Sequence, residues 1–109
     1  MICALVRHFV ARGTRVAAVK HTHHPLNEER AGDTGRFLEA GATPVILAGD
    51  AEAVVFDDAV TRISFLDPRE LLTHVDDAEL VLVEGFKHFE GWLRLDVCSF
   101  EDAVEKCSG

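Results

Sequence analysis

The sequence predicts an α/β protein, in which helices pack in layers against a largely parallel sheet. Segments with apolar residues at helical spacing alternate with short, continuous apolar runs that are rich in β-branched residues. Such runs are typical of parallel strands that are covered on both faces. The chain has 109 residues and is 48% hydrophobic, which suffices for one thin core. We therefore expect a single α/β domain over residues 1–109.

The first helix and the first strand are predicted from periodicity. Apolar residues recur at i, i+3, i+4, i+7 and i+8 from Ile2 to Val10, as in an amphipathic helix, and Gly13 is a natural stop. No Ser, Thr, Asp or Asn precedes this helix as a cap. The run Val16 to Val19 predicts a strand that is covered on both faces, and it leads into the polar segment Lys20 to Pro25.

A second helix follows a polar loop. The segment from Leu26 to Gly32 has no apolar periodicity. Asp33 or Thr34 can cap a short helix that carries Phe37, and Gly41 is its expected stop. Capping is a sufficient explanation for Asp33 and Thr34, and a role at a binding site is the alternative.

A β-hairpin is predicted in the middle of the chain. The apolar run Val45 to Ala48 predicts a strand, Gly49-Asp50 predicts a turn, and Ala53 to Phe56 predicts the antiparallel partner strand. The segment from Val60 to Phe65 predicts one more short strand. No repeat or linker divides the chain.

The strongest strand signal lies in the last third of the chain. Asp67-Pro68 predicts a capped helix that continues through Val75. The apolar run Leu80 to Val83, closed by Glu84 and Gly85, predicts a buried parallel strand that brings an acid to the carboxyl edge of the sheet. A last strand at Leu93 to Val97 and a frayed terminal helix at Phe100 to Lys106 are also predicted.

Charge and cysteine content exclude several function classes. Eleven basic and nineteen acidic side chains give a net charge of −8, which disfavours nucleic-acid binding. The three cysteines include no C-x-x-C pair, which disfavours a disulfide framework and a thiolate zinc site. No apolar run is long enough to cross a bilayer or to form an uncharged signal-peptide core. We expect a soluble, cytoplasmic protein that binds neither nucleic acid nor membrane.

Two segments that carry reactive side chains follow predicted strands, namely Lys20 to His24 and Glu84 to His88. Ligands of parallel α/β sheets bind outside the carboxyl ends of the strands. Glu84 has the form of a Walker B acid, which orients Mg²⁺ or polarises an attacking water, and a solvated strand terminus is its alternative. Lys87 and His88 could contact phosphate oxygens, and a polar loop is their alternative.

The histidine cluster also suggests a metal site. His21, His23 and His24 lie close together in the sequence, and imidazoles are common ligands of zinc, nickel and copper. A closed structural site needs four ligands, and a solvated or anion-facing loop is the alternative. The other side chains that could complete such a site are Glu84, His88 and Asp33.

Four segments together carry a family resemblance: Val19 to His24, Gly32 to Thr34, Leu38 to Ala42, and Leu82 to His88. In this order they resemble the molybdopterin-guanine dinucleotide biosynthesis protein B (MobB) family, with a match that runs from about Ile2 to His88. The K-H-T-H-H and V-E-G-F-K-H segments are specific in combination, although each is weak alone.

The resemblance implies a P-loop NTPase-like three-layer fold, GTP binding with feeble hydrolysis, and homodimerisation, with the hairpin around Gly49 to Phe56 as the dimer element. It also implies an adaptor role beside molybdopterin guanylyltransferase and molybdenum-insertion proteins. Glu84 would be the catalytic acid, and it would hold Mg²⁺ directly or through water. The residues implied at the nucleotide or cofactor cleft are Lys20, His21, Thr22, His23, His24, Asp33, Gly85, Lys87 and His88.

The chain departs from this family in one respect. Members open with a strand and a G-x-x-x-x-G-K-[ST] loop that binds phosphates, and this motif occurs nowhere in the chain. The helix at Ile2 matches the one that follows this loop, so we expect a truncated or degenerate member with weakened GTP binding and little or no GTPase activity. The alternative is a nucleotide-independent interaction scaffold that dimerises through its hairpin edge.

Overall fold

The computed structural model describes residues 2–86, 101, 104, 105 and 107. It confirms the predicted alternation of helices and strands. The predicted strand Leu93 to Val97, together with Lys87 and His88, lies outside the described residues. In chain order the elements are α1 (Ile2–Val10), β1 (Val16–His21), α2 (Gly32–Ala40), β2 (Val45–Ala48), β3 (Glu52–Phe56), β4 (Val60–Ser64), a 3₁₀-helix (Pro68–Val75) and β5 (Leu80–Glu84).

The strands form a five-stranded sheet in the order β4-β3-β2-β1-β5. Strand β1 is parallel to both of its neighbours, whereas β3 is antiparallel to β2 and β4. Four of these strands therefore run in one direction and only β3 is reversed, which confirms a mostly parallel sheet. The predicted hairpin is also confirmed, because Ala48 pairs with Ala53 across the turn.

The sheet is the middle of three layers. Because side chains alternate along a strand, Val16 and Ala18 of β1 pack with α1 and α2, whereas Ala17 and Val19 pack with the 3₁₀-helix on the other face. Helix α1 contributes its predicted apolar stripe to the first of these cores. The three-layer α/β architecture is confirmed.

The start of α2 corrects one prediction. Neither Asp33 nor Thr34 is the N-cap; that position belongs to Ala31, which makes no side-chain capping hydrogen bond. Asp33 instead lies in the first turn and forms an ion pair with Lys20. A charged partner that is distant in sequence thus replaces the local capping interaction. The predicted end is confirmed, because Gly41 is the C-cap with φ +108°.

The 3₁₀-helix begins as its sequence predicts. The Asp67 side chain accepts a hydrogen bond from the Arg69 backbone N–H, and the Glu70 side chain accepts one from the Asp67 backbone N–H. These bonds form a capping box, with Pro68 at the first helical position. The neighbouring Arg69 guanidinium lowers the pKa of the Asp67 carboxyl.

Strand β5 is parallel to β1 as predicted, but the prediction that it is buried needs a correction. Only Leu82 of β5 is buried, and the other apolar residues, Leu80, Val81 and Val83, are half-buried. The reason is the position of β5 at the edge of the described sheet, where β1 is its one neighbour among the strands of residues 2–86. A continuous apolar run therefore indicates a strand without fixing its place in the sheet.

Residues 101, 104, 105 and 107 are helical, in the region of the predicted terminal helix. Val104 and Cys107 pack against the core formed by α1, α2 and the sheet. Burial raises the pKa of the Cys107 thiol. Within the described part of the chain, no helix has the length and apolar character that crossing a membrane requires.

Candidate functional site

The carboxyl ends of three parallel strands meet at one edge of the sheet. Strands β1, β2 and β5 end at His21, Ala48 and Glu84, respectively. Lys20 is the register partner of Glu84, and His21 is the register partner of Ala48. The described parts of the two segments predicted to carry reactive side chains, residues 20–24 and 84–86, therefore meet at this carboxyl edge, as expected for parallel strands.

The first cluster at the carboxyl edge is built around Lys20. Its Nζ lies 3.0 Å from Asp33 Oδ2 and 3.0 Å from Glu84 Oε1, so one ammonium group bridges α2 and β5. Arg36 forms a second ion pair with Asp33 from the same helix. The side chains of Lys20, Asp33 and Glu84 are 24%, 38% and 46% exposed, so a ligand in solvent can reach all three.

These contacts stabilise the charged forms. Hydrogen bonds to Asp33 and then Glu84 raise the pKa of the Lys20 ammonium. Hydrogen bonds from Lys20 and then Arg36 lower the pKa of the Asp33 carboxyl. The Lys20 cluster thus holds two cations and two carboxylates, and its formal charges balance.

The second cluster is built around His21. Its Nε2 lies 2.8 Å from Asp50 Oδ1, and the Phe86 backbone N–H donates to its Nδ1 at 3.4 Å. This arrangement favours the tautomer in which Nε2–H donates to Asp50. The imidazole stacks on the Phe86 ring with centroids 4.2 Å apart, and the His23 ring approaches edge-on at 4.8 Å.

Gly85 allows the chain to fold back over His21. It has φ +95°, and a Cβ at this position would lie 2.7 Å from the His21 Cβ. Both the backbone conformation and the close approach therefore require glycine. Phe86 follows with φ 52°, and its ring is buried against His21.

The structure thus divides the predicted site residues into two groups. Lys20, Asp33 and Glu84 are in direct contact, while His21 and His23 form part of the second cluster. Thr22 and His24 contact each other, because the Thr22 Oγ1 accepts a hydrogen bond from the His24 backbone N–H. Lys87 and His88 lie outside the described residues, and the functional roles of all these residues stay predictions.

Three residues of the carboxyl edge were not predicted as site residues, namely Arg36, Asp50 and Phe86. Asp50 was interpreted only as part of a turn, although it comes two residues after a buried parallel strand. Its place after β2 was a usable signal, because the loops after parallel strands share one edge. The contacts of Phe86 with His21 depend on the reversal at Gly85, which no local pattern indicated.

Comparison with known proteins identifies the family. The model of a family described as "Molybdopterin guanine dinucleotide synthesis protein B" (MobB) matches residues 1–99. The chain is 36% identical over 87 residues to the molybdopterin-guanine dinucleotide biosynthesis adapter protein of Haemophilus influenzae, covering 76% of this chain and 47% of that protein. The adapter protein of the same name from Escherichia coli is 34% identical over 89 residues, covering 79% of this chain and 50% of that protein.

A putative adapter protein from Methanocaldococcus jannaschii is 33% identical over 86 residues, covering 76% of this chain and 33% of that protein. The chain therefore spans half or less of the length of these relatives. No solved structure matches significantly. The family match over residues 1–99 covers most of the chain, and the chain therefore belongs to the MobB family.

Proposed function

We propose that this chain acts in molybdopterin guanine dinucleotide biosynthesis as a cytoplasmic adapter protein that binds GTP with Mg²⁺ at the carboxyl edge of its sheet. The family match and the relatives named as adapter proteins support the biosynthetic role. The partners that this role implies are molybdopterin guanylyltransferase, molybdenum-insertion proteins and a second copy of the chain. The observation that carries the GTP proposal is the solvent-accessible cluster of Lys20, Asp33 and Glu84.

The Lys20 cluster offers suitable ligands for Mg²⁺. Asp33 and Glu84 already share one cation, because an oxygen of each lies 3.0 Å from Lys20 Nζ. Carboxylate oxygens are the ligands that Mg²⁺ prefers, usually with several waters retained. Asp33 and Glu84 would hold the ion, which when bound neutralises phosphate charge. Lys20 would then be available as a point charge for a phosphate oxygen.

Calorimetric titration with GTP in the presence of Mg²⁺ tests this site. Lys20→Met and Glu84→Gln should each weaken binding about tenfold to a hundredfold, which corresponds to the loss of one charged hydrogen bond. Glu39→Gln is the control, because Glu39 is an exposed acid near the opposite end of α2. Absence of binding by the wild-type chain, or equal affinity of all three variants, would contradict the GTP site.

A nucleotide-independent scaffold is the second candidate function. It is favoured by the charge balance of the Lys20 cluster, in which both cations already contact carboxylates and no excess positive charge faces a triphosphate. Strand β4 also offers a largely exposed edge to a partner chain. A pull-down of molybdopterin guanylyltransferase distinguishes the two functions. Equal capture with and without GTP, and equal capture by the Lys20→Met variant, would support the scaffold over the GTP-dependent adapter.

A further inference from the structure

We propose that His21, His23 and Asp50 form a binding site for a divalent transition metal of the zinc type. Candidate ligand atoms of these three side chains all lie within 4.8 Å of one another. The site uses neither Asp33 nor Glu84, so it is distinct from the Mg²⁺ site of the proposed function. The family resemblance also implies His21 and His23 at the nucleotide or cofactor cleft, but the Lys20 cluster that carries the GTP proposal contributes no ligand to this site.

The parallel pairing of β1 and β2 brings these ligands together. His21 and Ala48 are register partners at the ends of the two strands. His23 comes two residues after His21, and Asp50 comes two residues after Ala48. The Thr22 backbone N–H donates to the Ala48 carbonyl at 2.8 Å, which extends the pairing beyond β1. His23 and Asp50 each lie in a bend just after its strand, and both side chains reach His21: the His23 ring centroid is 4.8 Å from that of His21, and Asp50 Oδ1 is 2.8 Å from His21 Nε2.

His21 is held in position before any metal binds. Its side chain is 12% exposed, its ring stacks on Phe86, and its Nε2 contacts Asp50. The Asp50 side chain is 83% exposed, and His23 is exposed as well. A metal can therefore enter from solvent past His23 and Asp50. Only these two side chains would need to adjust, because His21 is already fixed.

The ligand set selects the class of metal. Two imidazoles and one carboxylate suit Zn²⁺ and its borderline neighbours, whereas Mg²⁺ and Ca²⁺ prefer oxygen ligands alone. Three protein ligands leave a tetrahedral metal with one position for another ligand. A metal at His21 Nε2 would take the place of the proton shared with Asp50. That proton would move to Nδ1, at the cost of the long 3.4 Å hydrogen bond from Phe86.

The test is a Zn²⁺ titration of chelator-treated, untagged protein against a chromophoric competitor, without GTP or Mg²⁺. We expect one Zn²⁺ per chain. His23→Ala and Asp50→Asn should each weaken binding by at least about tenfold, since even the loss of an outer partner of a ligand costs this much. His24→Ala is the matched control, because His24 is an exposed histidine of the same segment outside the cluster, and it should keep the wild-type affinity.

The assignment would be overturned if His24→Ala lost as much Zn²⁺ affinity as His23→Ala. It would also be overturned if the wild-type chain bound no Zn²⁺. Retained affinity in Asp50→Asn would also overturn it. The NMR signals of the His21 and His23 rings provide a second measurement, and they should shift together at one equivalent of Zn²⁺. Because the Zn²⁺ titration contains no nucleotide, its result does not depend on whether the chain binds GTP. Likewise, a failure to bind Zn²⁺ would not contradict the GTP proposal.

Discussion

Lys20 links three elements through one ammonium group. It belongs to β1, and its Nζ contacts Asp33 of α2 and Glu84 of β5 at 3.0 Å each. The three side chains are partly exposed, so solvent screens their attraction and the contribution to stability is modest. Their value lies in fixing the positions of two carboxylates at the carboxyl edge, where the proposed function needs them.

The pair of Lys20 and Asp33 predicts a specific dependence of stability on pH. The pKa of Asp33 is lowered below its ordinary 3.8 in the folded protein, so its stabilisation is complete above about pH 4 and is lost as the pH falls through the lower, folded-state pKa. Asp33→Asn should therefore cost about 1 kcal/mol near neutral pH, after allowance for exposure. The difference should shrink in strong acid.

Urea unfolding of wild type and Asp33→Asn between pH 2 and pH 7 measures this difference. The pKa of Lys20 is raised above its ordinary 10.5, so the same pair should lose its contribution again at strongly basic pH, as Lys20 deprotonates. A difference that stays constant from neutral to strongly acidic pH would contradict the ion pair.

At the scale of elements, a glycine with positive φ lies at or just after the end of both α1 and α2. Gly41 ends α2 with φ +108°, and Gly13 follows α1 with φ +85°. A side chain is strained in this conformation at either position. The two glycines differ in their surroundings: a Cβ at Gly41 would lie 3.0 Å from Val10 Cγ1, whereas a Cβ at Gly13 would have no atom within 4 Å. The end of α2 thus also fixes how closely α1 packs.

This difference yields a prediction with its own control. Gly13→Ala should lower the free energy of unfolding by about 1 kcal/mol, which is the cost of the strained backbone alone. Gly41→Ala should cost more, because Val10 must also move. Chemical denaturation monitored by circular dichroism measures both free energies of unfolding. Equal losses in the two variants would show that Val10 moves away from position 41 at no cost in stability.

At the scale of the whole molecule, one sheet supports two cores. Val6, Phe9 and Phe37 pack on one face, and Leu71 and Val75 pack on the other. Strand residues alternate between these cores, so neither face can lose its packing without affecting the other. We expect the described part of the chain to unfold cooperatively for this reason.

Leu71 provides the test, because its side chain is fully buried at 0% exposure. Leu71→Ala should lower the free energy of unfolding by about 2–5 kcal/mol through lost burial and the cavity left behind. Leu66→Ala is the matched control, since Leu66 is 96% exposed, and it should change stability by less than about 0.5 kcal/mol. Urea denaturation measures both, and a small effect of Leu71→Ala would show that the 3₁₀-helix is not part of the cooperative unit.

The sequence by itself determined most of the elements and pointed to the segments that meet at the carboxyl edge. The apolar stripe of α1, the N-cap at Asp67 with Pro68 after it, and the apolar runs of β1, β2 and β5 act over a few residues, so local patterns suffice to predict them. The rule that ligands bind at the carboxyl ends of parallel strands then pointed to Lys20 and Glu84. The order of four segments indicated the family, which comparison confirmed.

Only the tertiary structure decided which of these residues touch. Lys20 and Glu84 are 64 residues apart, and His21 and Asp50 are 29 apart. The tertiary structure also placed β5 at the edge of the described sheet and made Asp33 an ion-pair partner instead of a cap. Strand order and register set these contacts, and both depend on packing between distant segments, which no local pattern of apolar and polar residues encodes.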